Sequence, residues 1–430
     1  MMFSVLEKIR SKGVIEVLRI VKRRVKNRFY RLLAWLLYHI FSLLPLQNKV
    51  IAVCFSGKKY GDNSQFIMEK LHQLRPDYKY YWMINEQFDY KIPVWMLSTP
   101  FAITIKTIYH IATSKVMVNT HHYPTWIKKR KGQLFLQTWH GGLGIKRIEK
   151  DSQEFVGSEY QMKELKHTNA VSDVFLSQSD HLTGIFRRAF GYEGPVFKCG
   201  YPKNDCLFTG NKEARQGVRE CFSLHSNTKI FLYAPTFRDY FWDKEIDESV
   251  YAVNYELLQN ALEEKFGGEW RIMVRWHPSF VNILKGKISV PSWVIDATLF
   301  PDMQELLKGC DIVMSDYSSC IFDAALLDIP CFTYATDFDT YKADRGVYYE
   351  MEELPFPYAR TCDELMENIE NYDHEAYLER WRAFKERMGL YEPGNASQVI
   401  ADKIIEHIDT GKVLWNQDRA TASNQWENLA

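Results

Sequence analysis

The sequence predicts an α/β protein built on two doubly wound parallel sheets. Three observations carry that reading. Short β-branched or aromatic runs alternate with helical stretches, the alternation falls into two blocks, and 430 residues exceed one ordinary domain. In the first block "KVIAVCF", "YKYYWMI", "IPVWMLS", "SKVMVNT" and "GQLFLQT" read as strands, with helices beginning near Asn63 and Phe101. In the second, "DVFLSQ", "GPVFKCG", "KIFLYAP", "WRIMVRW", "SWVIDA", "CDIVMSD" and "IPCFTYA" are the strands. Helical patterns run over Tyr251–Phe266, Pro301–Lys308 and Ser319–Leu327. Two such blocks imply two Rossmann-like domains, and "GYPKND" (200–205), bearing Gly and Pro, reads as their connection. The expected divisions are 1–48, 49–204, 205–395 and 396–430, the last a helix with a polar tail.

Composition narrows the partners. The formal net charge of zero conceals an asymmetry, because residues 1–50 hold eleven Lys/Arg against two Asp/Glu. No basic stripe runs through the folded part, which argues against nucleic acid. The eight cysteines include no CxxC pair, so they read as buried thiols in a reducing compartment.

The basic head has a pattern of its own. Val14, Val17, Leu18, Val21, Val25 and Phe29 recur three or four apart, while Arg19, Lys22, Arg23 and Lys26 take the other side. The stretch leads into the apolar run Leu32–Leu46, which carries His39, includes Pro45 and is short for a span of ~20 residues. A tilted span and a plain core helix compete with a helix lying in the interface. The cationic flank favours the interface of an anionic membrane surface, hence a peripheral, monotopic attachment.

Ligands of open α/β sheets bind beyond the carboxyl ends of strands, so motifs there matter most. In "MSDYSSCIFDAALLDIP" a strand ends at Ser315 and Asp316 and a helix starts near Ser318, so Ser318 and Ser319 offer hydroxyls and backbone N–H groups to an anion. An ordinary helix cap accounts for one such residue but not for four together. "RWHPSF" sets His277 at a strand end, where Pro278 turns the chain; a core or surface histidine is the alternative. "YAPTFRD" presents Thr236 and Arg238, the latter suited either to bidentate phosphate contact or to a surface salt bridge. "QTWHGG" places His140 before Gly141 and Gly142, which let backbone approach a ligand. No His/Cys/Asp cluster has metal-ligand spacing, and His121 and His122 would point to opposite faces of a strand.

Taken together and in order, "FSGKKYGDNSQFI", "QTWHGG", "GYPKNDCL", "YAPTFRD", "RWHP", "SDYSSCIFDAALLDIPCFTYATDFDTY" and "RGVYYE" resemble the CDP-glycerol glycerophosphotransferase family, over about residues 50 to 400. This family contains the teichoic-acid primases and polymerases and relatives in capsule synthesis. The resemblance implies a GT-B architecture, two Rossmann-like domains facing across a cleft, on the cytoplasmic face of the cell membrane. Residues 49–204 would then form the acceptor side and 205–395 the CDP-donor side. The implied activity moves a polyol phosphate, glycerol phosphate first and ribitol phosphate as the alternative, from a CDP-activated donor to a lipid-linked or polymeric glycan acceptor. CMP is released and no cofactor is required. A nucleotide-sugar glycosyltransferase and a catalytically silent membrane scaffold are the rival readings.

By the same resemblance the functional histidines fall on His140 and His277. Donor contacts fall on Thr236, Arg238, Ser318 and Ser319, supported by Asp316 and Asp323, and Gly141, Gly142 and Lys146 mark the acceptor-side loop. His140 is the expected base, since a neutral imidazole of pKa ~6.5 suits that role near neutrality. Three features depart from the family pattern. Gly142 replaces the usual Thr in a loop one residue longer up to Lys146, Lys203 stands where Arg is commoner, and the length is that of the short members, which speaks against processive polymerisation.

Overall fold

Strands buried on both faces read as unbroken hydrophobic runs, and that pattern is what this chain uses to build its sheets. The computed structural model describes residues 14–155, 158–238, 247–277 and 290–415. Contacts divide the chain into two units. One comprises Met1–Gln137, Lys163–Asp173 and Ala401–Leu414, the other Thr138–Met162, Val174–Ile400 and Trp415–Ala430.

In the first unit α1 (Val14–Phe41) precedes β1 (Gln47–Val53), α2 (Asp62–Leu74), β2 (Lys79–Ile84), β3 (Leu97–Pro100), α3 (Ile105–Thr113), β4 (Ser114–Asn119) and β5 (Leu134–Gln137). The strands lie in the order β3-β2-β1-β4-β5, all parallel. The chain winds outward from β1 in one direction and from β4 in the other. Val50, Ile51, Ala52 and Val53 are completely buried. Helix α3 starts at Ile105, later than the expected Phe101, because the Thr104 hydroxyl caps it by accepting from the Thr107 N–H.

The expected amphipathic helix and the apolar run that follows it form one 28-residue helix, α1, which ends at Phe41 ahead of Pro45. Ala34 and Tyr38 join the core of the first unit with Ile108 and Ile111 of α3, while Leu32, Trp35, Leu36 and Ile40 stay exposed. The side chains of Val14, Val17, Leu18, Arg19, Val21, Arg23, Val25, Lys26 and Phe29 lie outside the described residues, as do residues 1–13 and the tail beyond Trp415. Among the described residues no helix is long and apolar enough to cross a membrane.

The second unit holds the parallel pair β6 (Val174–Ser177) and β7 (Val196–Lys198), then a six-stranded parallel sheet. Its strands are β8 (Lys229–Ala234), β9 (Trp270–Val274), β10 (Ile295–Asp296), β11 (Ile312–Ser315), β12 (Cys331–Tyr334) and β13 (Tyr358–Ala359), in the order β10-β9-β8-β11-β12-β13. Helices α4 (Tyr255–Phe266), α5 (Met303–Gly309) and α6 (Cys320–Ala325) lie between them in sequence. Asn254 caps α4 and Asp302 caps α5, which sets both starts inside the expected ranges.

In "GYPKND", Pro202, Lys203 and Asn204 are buried, in a 3₁₀ stretch Pro202–Phe208 that belongs to the second unit. The strand expected from "IPVWMLS" forms only at its end, Leu97–Pro100.

His110 supplies a test of the first unit. It lies 4.0 Å from the Tyr81 ring, 8% exposed, and burial followed by Lys49 and Lys106 pushes its pKa down to about 4. The folded state thus prefers the neutral ring. Its contribution is complete above pH 6.5 and is lost as the pH falls toward about 4. His110→Phe keeps an aromatic ring on Tyr81 but takes up no proton. Urea melts across this window should show a shallower loss of stability in the variant than in the wild type, and identical slopes would remove His110 from the account.

Candidate active site

In the six-stranded sheet the chain leaves β8 toward β9 and β10, and leaves β11 toward β12 and β13. Adjacent carboxyl ends at such a reversal diverge and leave a crevice. The segments that leave there are Thr236–Arg238 after β8 and Asp316–Ser319 after β11, and Arg275–His277 leaves the neighbouring β9. The structure therefore gathers five of the expected donor-side residues at one switch point, with His277 one strand away.

Asp316 organises this end. It is fully buried, and its carboxylate accepts the backbone N–H of Thr236 (2.8 Å) and of Tyr317 (2.6 Å) and the Arg238 guanidinium (2.7 Å). Arg238 is 1% exposed, and its remaining donors go to Asp337 (2.7 and 2.9 Å) and the Thr236 carbonyl (2.7 Å). Tyr251, Tyr317 and Tyr341 surround the guanidinium, with centroids 4.6–5.3 Å from it. Burial works against its charge, yet Asp316 and Asp337 hold its pKa well above the usual range. Arg238 is thus neither an open phosphate clamp nor a surface salt bridge but an internal tie between the ends of β8, β11 and β12. The accessible groups here are Ser318 and Ser319, both partly exposed, at the start of the short α6; the Ser318 hydroxyl accepts weakly from the Cys320 N–H (3.4 Å).

Asp323 also turns inward. Lys203 donates to it at 2.6 Å, Gln304 at 3.0 Å and Asn204 at 3.3 Å. It is 3% exposed and so supports α6 from beneath instead of facing a ligand. Lys203, the departure noted from sequence, is the counterion of this carboxylate.

His140 follows β5 on a loop belonging to the second unit. Trp139, just before it, has φ +53°, a left-handed conformation that a bulky side chain adopts only when packing imposes it. Its ring is buried edge-on against Phe190 (centroids 4.8 Å) and lies 4.4 Å from the partly exposed His140 imidazole. Beyond it, Tyr201 donates its hydroxyl to the Gly141 carbonyl (3.1 Å), Gly142 is buried, and Lys146 bridges Val347 in antiparallel register. Leu143 and Ile145 enter the core of the second unit, which anchors the loop. His277 is exposed at the end of β9, its ring 6.4 Å from Phe237; Pro278 lies outside the described residues.

Sequence reasoning passed over Arg275, two residues before His277 in a motif already singled out. It is half-buried, and among the described residues its guanidinium makes one long hydrogen bond, to the Asp302 carbonyl (3.4 Å). Burial lowers its pKa, and the nearby Asp302 opposes that shift. The charge in "RWH" was visible as a signal. Gln178 and Glu392 carried none, because they reach the site only through the fold. Among the described residues no group of three His, Cys, Asp or Glu could hold a metal ion.

The buried pair predicts a stability result. Lys203→Ala strands the Asp323 charge and should cost about 3–5 kcal/mol in urea melts. Adding Asp323→Ala should recover part of that loss, since no buried charge then lacks its partner.

Comparison with known proteins shows the family. Residues 36–406 match the model of the CDP-Glycerol:Poly(glycerophosphate) glycerophosphotransferase family. The teichoic acid poly(glycerol phosphate) polymerase of Bacillus subtilis (strain 168) is 28% identical over 383 residues, 86% of this chain but 50% of that one. The teichoic acid glycerol-phosphate transferase of Staphylococcus aureus (strain NCTC 8325 / PS 47) is 28% identical over 399 residues, 89% of this chain and 100% of that one. A structure of the wall teichoic acid polymerase TagF soaked with CDPG superposes with a TM-score of 0.75 at 26% identity, covering 91% of this chain and 98% of that one. A match of this extent, in a chain whose motif residues collect at the ends of parallel strands, places the protein in the CDP-glycerol:poly(glycerophosphate) glycerophosphotransferase family.

Proposed function

We propose that this chain is a GT-B polyolphosphotransferase, taking a polyol phosphate from a CDP-activated donor, CDP-glycerol first, to a hydroxyl of a lipid-linked or polymeric cell-surface glycan. The observation that carries the reading is that Ser318 and Ser319 follow β11 while Arg275 and His277 follow β9, the two strands that flank β8 in the second unit, in a chain of this family. In the reaction the acceptor oxygen attacks the phosphorus that bears the polyol. The bond from that phosphorus to the CMP oxygen breaks, and CMP leaves with the bridging oxygen. His140 takes the hydroxyl proton. Arg275, His277 and the Ser318–Ser319 turn stabilise the charge gathering on the phosphates, as preorganised donors do in other phosphoryl transfers. Arg238 and Asp316 act indirectly, by holding the ends of β8 and β11.

His140→Ala should lower transfer by about 10³-fold, in the range typical of a lost general base, while CDP-glycerol still binds. Near-normal turnover would end the assignment. A donor panel of CDP-glycerol, CDP-ribitol, UDP-sugars and CMP-sugars, run with a lipid-linked acceptor, tests the reaction itself. CMP release with CDP-glycerol is expected. Transfer of sugar alone would favour a glycosyltransferase, and no turnover with any donor a scaffold.

For the membrane, α1 supports peripheral attachment. Trp35 is 51% exposed beside the buried Ala34 and Tyr38, Leu36 is 49% exposed on the opposite side of the helix, and Leu43 just beyond the helix is 86% exposed. An apolar strip with an interfacial Trp next to a basic segment suits an anionic bilayer. Trp35→Glu combined with Leu36→Glu should weaken co-sedimentation with phosphatidylglycerol vesicles by at least about tenfold, whereas unchanged binding would refute the assignment of this face.

A further inference from the structure

Glycine at position 142 has a cause in the structure. A Cβ built there would come within 2.3 Å of the Gln178 carboxamide, whose carbon would lie at 2.6 Å. Gln178 is 2% exposed and sits in that space for a reason. In the orientation its neighbours require, its amide donates to Glu392 Oε1 (2.8 Å) and its oxygen accepts from the Leu143 N–H (3.1 Å). The other side of the same carboxylate serves the loop again. Glu392 Oε2 accepts the Tyr201 N–H (3.0 Å), and the hydroxyl of Tyr201 holds the Gly141 carbonyl (3.1 Å). Asn204 donates to Glu392 Oε1 at 2.9 Å.

We propose that Glu392 is a positioning residue for the histidine loop: through Gln178 and Tyr201 it fixes the backbone on both sides of Gly142, and thereby the direction of His140. The proposal rests on the reading of His140 as the base. It accounts for the glycine, since a Cβ at this position would displace the Gln178 carboxamide that links loop to carboxylate. Gly200 obeys the same constraint on the far side, where a Cβ would lie 2.8 Å from Glu392 Oε2.

Glu392 is also able to report on itself. Burial raises its carboxyl to about 8, against the pull of the Tyr201 and Asn204 donors; Asp323 adds to the rise and Lys203 opposes it, and the buried Cys199 thiol faces the same carboxylate. The ionised form accepts every N–H aimed at it, whereas protonation sets an O–H against those donors. The loop should therefore loosen as the pH falls through about 8.

The test uses the full chain with CDP-glycerol and a lipid-linked acceptor. Glu392→Gln should lower kcat by about 100-fold, the scale of a small misplacement of a reacting group. Donor affinity should be little changed by calorimetry, and the rise of kcat through pH 8 should disappear. Gln178→Ala should lower kcat in the same way, and combining the two should add little. Gly142→Thr should be impaired alone and partly restored by Gln178→Gly, which clears the clash. Wild-type kcat and pH profile in Glu392→Gln, or full activity of Gly142→Thr alone, would overturn the proposal. If Glu392→Gln fails to fold, Gln178→Ala decides the matter, and wild-type turnover in that variant overturns it equally. His140→Ala run alongside separates the two failures. An active His140→Ala removes the base, whereas an inactive one beside an unaffected Glu392→Gln removes only the positioning role.

Discussion

A parallel sheet that reverses its winding must leave backbone groups unpaired where the strands diverge, and buried groups of that kind are costly. In the second unit one carboxylate meets that demand. Asp316 collects the N–H groups of Thr236 and Tyr317, but a buried carboxylate requires a cation, and Arg238 supplies it. Arg238 in turn is neutralised by Asp337, whose Oδ1 also accepts the Tyr317 hydroxyl at 2.9 Å. Each group solves the problem the previous one creates. The result is a rigid floor from which Ser318 and Ser319 emerge partly exposed.

A second buried network follows the same logic lower in the fold. Lys203, Asn204, Gln304 and Asp323 satisfy one another, and Asn204 extends the chain of contacts to Glu392. Groups of this sort rigidify when complete and fail together when one member is lost. The arrangement ties the 3₁₀ stretch after β7 to α5 and α6, and it hands the loop carrying His140 a fixed neighbour.

Much of the architecture was legible because buried parallel strands and capped helices leave local marks. β1, β8 and β11 occupy the runs that named them, since no alternation was needed to hide one face. The edge strand β3 was misplaced within its run, and β13, two residues long, has no pattern to find. For the candidate site, sequence gives positions at strand ends but not the direction of the side chains. Sequence puts Arg238 at a strand end but cannot say that its donors turn inward to Asp316 and Asp337, 78 and 99 positions away. Nor can it link Gln178 to Glu392, a pairing that exists only after the sheet has formed. The burial of "GYPKND" was hidden for the same reason, because turn-forming residues look alike whether a segment is exposed or packed against a helix.

The backbone at Trp139 has a further consequence. A tryptophan in the left-handed region is held there with its ring against Phe190, and the Thr138 hydroxyl donates to its carbonyl at 2.8 Å. Glycine would adopt the same angles freely, so the position sets comfort of the chain against aim of the neighbouring imidazole. The ring contact that imposes the strained angles on Trp139 therefore also fixes where the chain turns toward His140.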